Sequence, residues 1–167
     1  MVFTCSPARF GAKAAVYDAG PMRYELFMSH ALSEASDAAA HGERPDGAVA
    51  VQDDAMVASA SSQVNRTGDP TAHAIVATIR EAAQRIGRLS LAGMTIFSVM
   101  EPCAMCVGAL LASDVDGLVF AVPDPVEGAC GSTVQLAGHR TPGRRLRVVS
   151  GILREDAEEL LARGLPV

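Results

Sequence analysis

An α/β domain, with helices layered on a mixed sheet, is predicted by three observations on the sequence. Short apolar runs of strand type alternate with longer stretches whose apolar residues recur every three or four positions. Gly, Pro, Asn and Asp punctuate the boundaries between them. The 167 residues, 49% of them hydrophobic, suit one compact domain with a substantial core. Aromatic residues make up only 4% and Trp is absent, so that core must be built from Ala, Val, Leu, Ile and Met.

Residues 1–21 close on Asp18-Ala19-Gly20-Pro21 without sustained periodicity and are expected to form an extension to a domain over 22–167. From Met22 to about Ala40 the pattern is helical, with Leu26, Phe27, His30, Ala31 and Ala35 on one stripe and His41-Gly42 as the stop. His30 on that stripe reads as a core or interface residue. Pro45-Asp46-Gly47 is a turn signal. Ala48–Gln52 and Met56–Ala60 form a hairpin about Asp53-Asp54, and 65–70 is a loop. Asp69 or Thr71 can cap a helix that starts near Ala72, carries His73, Ile75, Val76, Ile79 and Ile86, and stops at Gly87. Met94–Met100 is a buried strand, Cys103–Ser113 a helix and Gly117–Val122 a strand. A loop over 123–131, a short helix at Val134–Leu136, a strand at Leu146–Ser150 and an amphipathic helix at Arg154–Arg163 complete the chain.

Net charge is −5, and Lys13 is the only lysine against thirteen arginines. An acidic balance of this kind argues against a nucleic-acid surface, where basic residues supply most of the affinity. A local basic patch remains at His139, Arg140, Arg144, Arg145 and Arg147, either a solvated face or a site for an anionic group. No charged segment followed by a long apolar run opens the chain, and no stretch approaches the ~20 apolar residues that span a bilayer. A cytoplasmic protein with no membrane partner is expected.

Cys103 and Cys106 stand in Pro-Cys-Ala-Met-Cys at the start of a helix, while Cys5 and Cys130 are isolated, which does not suggest a disulfide framework. Two thiolates on one helical turn, completed by His73 from a second helix start, form a three-ligand set for zinc. Three protein ligands leave the fourth position to water, the arrangement of catalytic zinc. A thioredoxin-like redox pair is the other use of this spacing, and Pro102, the upstream histidine and the missing aromatic flank weigh against it. Cys130 can be read as a fourth ligand or as a small buried residue.

The order of these pieces resembles the cytidine/deoxycytidylate deaminase superfamily, and within it the bacterial tRNA adenosine deaminases and guanine deaminases. Asp69-Pro70-Thr71-Ala72-His73-Ala74, the Asp124–Ser132 loop and Gly151–Asp156 carry the resemblance beside the cysteine motif, over nearly the whole chain from Met22 to Arg163. It implies a three-layer α/β/α domain on a central mixed five-stranded sheet, a homodimer, and zinc on His73, Cys103 and Cys106. The superfamily signature is H-x-E…P-C-x-x-C, and this chain places Ile75 where the general acid/base glutamate stands. Ser62 falls on the family's base-gripping asparagine and Asp46 on an apolar position. The resemblance puts Ser62, Ala74, Ile75 and Pro102 at the substrate.

Ile75 can neither give nor take a proton. Glu81 is six residues on, roughly 9 Å along the helix, which is too far to stand in. Asp46, Glu101 and Glu127 are the carboxylates that could serve instead, although Pro-Asp-Gly also suits an exposed turn and Glu101 also suits support of the metal ligands. The expected function is zinc-dependent, deaminase-like hydrolysis of a small nucleobase-like or amidine-bearing molecule with an altered proton donor. The alternative is a catalytically impaired deaminase-like protein acting as a partner or ligand-binding subunit, for which a heteromer with a glutamate-bearing deaminase is the other assembly. No nucleic-acid partner is expected.

Overall fold

The computed structural model describes residues 23–138 and 146–164. In order they form α1 (Tyr24–Ala40), β1 (Gly47–Gln52), β2 (Ala55–Ser61), α2 (Val64–Thr67), α3 (Ala74–Ile86), β3 (Met94–Met100), α4 (Ala104–Ala112), β4 (Gly117–Val122), β5 (Arg147–Ser150) and α5 (Arg154–Gly164). The five strands make one mixed sheet in the order β2-β1-β3-β4-β5. β1 runs antiparallel to β2 and β3, whereas β3, β4 and β5 are parallel to one another.

Alternation along the strands divides the core in two. Ala48, Ala50, Ile96, Leu118 and Phe120 face one side and pack with Ile75, Val76, Ala82, Val107 and Leu110 of α3 and α4. Val49, Val51, Phe97, Val99, Val119 and Ala121 face the other and pack with Phe27, Met28, Ala31 and Ala35 of α1 and Ala157 of α5. A strand buried on both faces reads as a continuous apolar run, which is why Gly117–Val122 carries no polar residue. The result is the α/β/α sandwich that the sequence suggests. Among the described residues no helix is long and apolar enough to cross a membrane.

Several local expectations need correction. The buried stripe of α1 is Phe27, Met28, Ala31, Ala35 and Ala38; Leu26 and His30 are exposed, so His30 is not a core residue. A short helix, α2, interrupts the expected 65–70 loop. α3 begins at Ala74, with His73 as its N-cap residue. Asp69 does not cap that helix: its Oδ1 accepts the Thr71 N–H and hydroxyl at 2.8 and 2.7 Å, an Asx-type turn. Val134–Leu136 is not helical, and Gln135 instead bridges to Cys130. Cys5, His139, Arg140, Arg144, Arg145 and the 1–21 extension lie outside the described residues.

The registers decide where a site can form. Gly47 lies opposite Ser61, Ala48 opposite Ser98 and Met100 opposite Val122. The entry to β1, the exit of β2 and the exits of β3 and β4 therefore meet at one edge of the sheet. Ligands in open α/β sheets bind at the carboxyl ends of the parallel strands, and β3 and β4 end there. Gly47 allows α1 to lie directly on this edge. A Cβ there would fall on the Ala31 carbonyl oxygen and the Ala35 nitrogen, inside any tolerable contact.

Candidate metal centre and its carboxylates

His73 and Cys103 both occupy N-cap positions, with extended backbone (φ −65°, ψ 150° and φ −69°, ψ 172°) that turns their side chains across the starts of α3 and α4. Cys106 lies one turn into α4 and is buried. The His73 Nδ1 stands 3.7 Å from each of the two sulfurs. Tetrahedral bonds of about 2.05 Å to nitrogen and 2.3 Å to sulfur require an N···S edge of roughly 3.6 Å. These residues fit a zinc ion as placed. Among the described residues, this is the group of three whose ligand atoms lie within 4.8 Å of one another. Cys130 is outside it, a buried thiol pushed up to about 12 by burial and by Glu101.

The thiols are prepared for metal. Cys103 is drawn down to about 5 by a hydrogen bond from Cys106, by the Cys106 and Met105 N–H groups at the helix start and by His73. Cys106 is pushed the other way by that same shared proton and by burial. The pair thus loses its first proton readily and holds its second until a cation replaces it. His73 and Cys103 are partly exposed, so the centre has a side open to water.

Asp46 is not on an exposed turn. It is partly buried at the entry to β1, its Oδ1 accepts the Met100 N–H at 3.3 Å, and its carbonyl accepts the Ser62 N–H at 2.9 Å. The His73 ring acts on its carboxyl, and its charge in turn acts on the Cys106 thiol. Burial pushes the carboxyl up to about 6, against the pull of Arg44, the Met100 N–H and His73. Ser62, Ala74, Ile75 and Pro102 are all buried, Ile75 with 1% of its surface exposed.

Glu101 is spoken for by the loop that follows β4. Oε2 accepts the Asp124 N–H at 3.1 Å and the Ser132 hydroxyl, and Oε1 accepts the Cys130 and Ser132 N–H groups at 2.8 and 3.1 Å. That loop leans on the metal ligands, since Ala129 donates to the Pro102 carbonyl at 2.9 Å and Gly128 forms a bridge with Cys103. Glu127 is exposed and pairs with Arg44 at 2.9 Å, which also holds Asp124 at 2.6 Å. Sequence reasoning missed Arg44 and Glu43. The Glu43 carboxylate is buried and accepts the Asn65 and Arg66 N–H groups at 3.0 and 2.6 Å, pinning α2. No local signal marks either role, since the partners lie 22 or more residues away.

Asp124 provides a test of this loop. Burial alone would raise its pKa, but the Glu127 and Val126 N–H groups and Arg44 outweigh it and hold it below the ordinary carboxylate range. A depressed folded value means stability that is present above the unfolded pKa near 4 and lost as pH falls through the folded one. On acidification the Val126 and Glu127 amides should lose exchange protection before those of β3. Equal protection of both sets down to pH 3 would refute this.

Residues 21–122 match the family model described as the cytidine and deoxycytidylate deaminase zinc-binding region. The tRNA-specific adenosine deaminase of Bacillus subtilis (strain 168) is 36% identical over 138 residues, 83% of this chain and 86% of that protein. A solved structure from work on A-to-I editing by tRNA:A34 deaminases at the wobble position superposes with a TM-score of 0.78 at 34% identity, over 81% of this chain and 99% of that one. A guanine deaminase from Nitrosomonas europaea superposes with a TM-score of 0.70 at 25% identity, over 83% and 82%. The two tRNA deaminases overturn the expectation of a small-molecule substrate and no nucleic-acid partner. Net charge sums a whole surface, whereas an RNA contact depends on the local field at one patch.

Proposed function

The chain belongs to the cytidine and deoxycytidylate deaminase zinc-binding family, and from that premise we propose that it is a hydrolytic deaminase of an amino-bearing nucleobase presented in RNA, with Asp46 as its proton-transfer group. Zinc on His73 Nδ1, Cys103 Sγ and Cys106 Sγ would supply water activated near neutral pH. Asp46 takes the proton released as water adds to the amino-bearing carbon and delivers it to the ring nitrogen. It then carries the proton of the added hydroxyl to the amine, which leaves as ammonia while the carbonyl forms. Ile75 closes the apolar wall beside the ring and takes no part in proton movement.

The observation that carries this reading is the placement of Asp46. It is a partly buried carboxylate at the entry to β1, hydrogen-bonded to the Met100 N–H and in electrostatic contact with His73 and Cys106, in a chain whose residue two after the histidine is apolar. Guanine and adenosine deaminases among the relatives make a purine amino group the first choice of substrate. The zinc-loaded protein should release ammonia from adenosine in a transfer RNA, read as inosine by sequencing, faster than from free adenine or guanine. No release from RNA, with robust release from a free base, would overturn the RNA assignment. No release from either would overturn the enzyme.

A further inference from the structure

Arg44 stands two residues before Asp46 and spans to the far side of the site. Its Nη2 meets Asp124 Oδ2 at 2.6 Å and its Nη1 meets Glu127 Oε2 at 2.9 Å, a fork that only a guanidinium can make. The two arms are unequal, because the Asp124 side chain is 5% exposed and the Glu127 side chain 52%. Asp124 also receives the Val126 and Glu127 N–H groups at 2.9 and 3.1 Å, and its own N–H donates to Glu101. Through Glu101 and Ala129 the chain of bonds ends at Pro102 and at the Gly128 bridge to Cys103. The guanidinium charge also acts on the Asp46 carboxyl.

We propose that Arg44 is a positioning residue for the deamination, the strut that fixes the segment bearing Asp46 against the loop packed on Cys103. The inference rests on the role of Asp46 proposed above. An exposed ion pair on its own contributes little, but here loss of the cation leaves the Asp124 charge buried and unpaired, and the loop is what must move to relieve it. Gly128 leaves that loop no slack, since even a Cβ there would strike the Asp124 carbonyl and the Glu101 carboxyl. Arg44 thus joins the two sides of the site directly, and the length of its side chain bears on their spacing.

The test compares zinc-loaded Arg44→Met and Arg44→Lys with the unmodified protein. Arg44→Met should keep its zinc, lose kcat by about 10–100-fold, the range for outer partners of a metal site, and change KM little. Amide exchange at Val126, Glu127 and Cys130 should accelerate in the same variant. Arg44→Lys keeps a charge for Asp124 without the fork and should recover part of kcat. Full kcat in Arg44→Met, or a fall in melting temperature alone, overturns the inference. An unmodified protein that deaminates nothing overturns the functional reading instead, whereas an active one with a fully active Arg44→Met overturns only the strut.

Discussion

Asp46→Asn is expected to lower kcat for deamination by about 10²–10⁴-fold, the usual range for removing a general acid/base group, while zinc content stays at one ion per chain. The substitution keeps shape and the hydrogen bond from the Met100 N–H, so the variant should fold as the parent does. Its amide can donate or accept but cannot carry a proton. Zinc beside the carboxyl would favour the ionised form, so the bound ion should move the working pKa below the value near 6 that burial gives against the pull of Arg44, the Met100 N–H and His73. Unchanged kcat in Asp46→Asn would show that proton transfer runs through another group. Loss of zinc together with activity would make Asp46 a support of the metal and not its acid/base partner.

Replacing Cys106 by Ala should have the larger effect. Two ligands remain, and zinc measured by elemental analysis after gel filtration should fall from one per chain toward none. When water returns from a pKa of about 7 to 15.7, its hydroxide fraction at neutral pH drops by roughly eight orders of magnitude. Deamination should then be undetectable. Cys106 is also buried in the core that joins α3 and α4, so the melting temperature should fall too. His73→Ala, on a partly exposed residue, separates the effects because it removes a ligand with less core. Retention of stoichiometric zinc in both variants would refute the assigned ligand set.

How far these roles were legible in the sequence depends on the range of the interactions that create them. The cysteines are one helical turn apart and His73 sits at a recognisable helix start, so the ligand set is written in local spacing. The strands are legible for the same reason, since Met94–Met100 is mostly apolar and Gly117–Val122 is apolar without interruption. Asp46 was hidden. Pro-Asp-Gly is a sound turn signal, and what draws the carboxyl inward is the pairing of β1 with β3, which sets it against the Met100 N–H 54 residues on. Arg44 is 80 residues from Asp124, and nothing local marks it. The stripe of α1 slipped because hydrophobicity could not rank Leu26 against Met28. Net charge, a property of the whole chain, misjudged what one surface can contact.

The two halves of the metal centre are also far apart in the order of synthesis. His73 precedes Cys103 by 30 residues, with α3 and β3 between them. Closing a loop of that length costs about 3 kcal/mol in chain entropy, so a nascent chain offers a loose dithiol and a distant imidazole. The third bond becomes available only when β3 has found its place beside β1. Complete three-ligand binding is therefore expected only once the sheet has closed. The metal content of a preparation should then count its correctly assembled molecules.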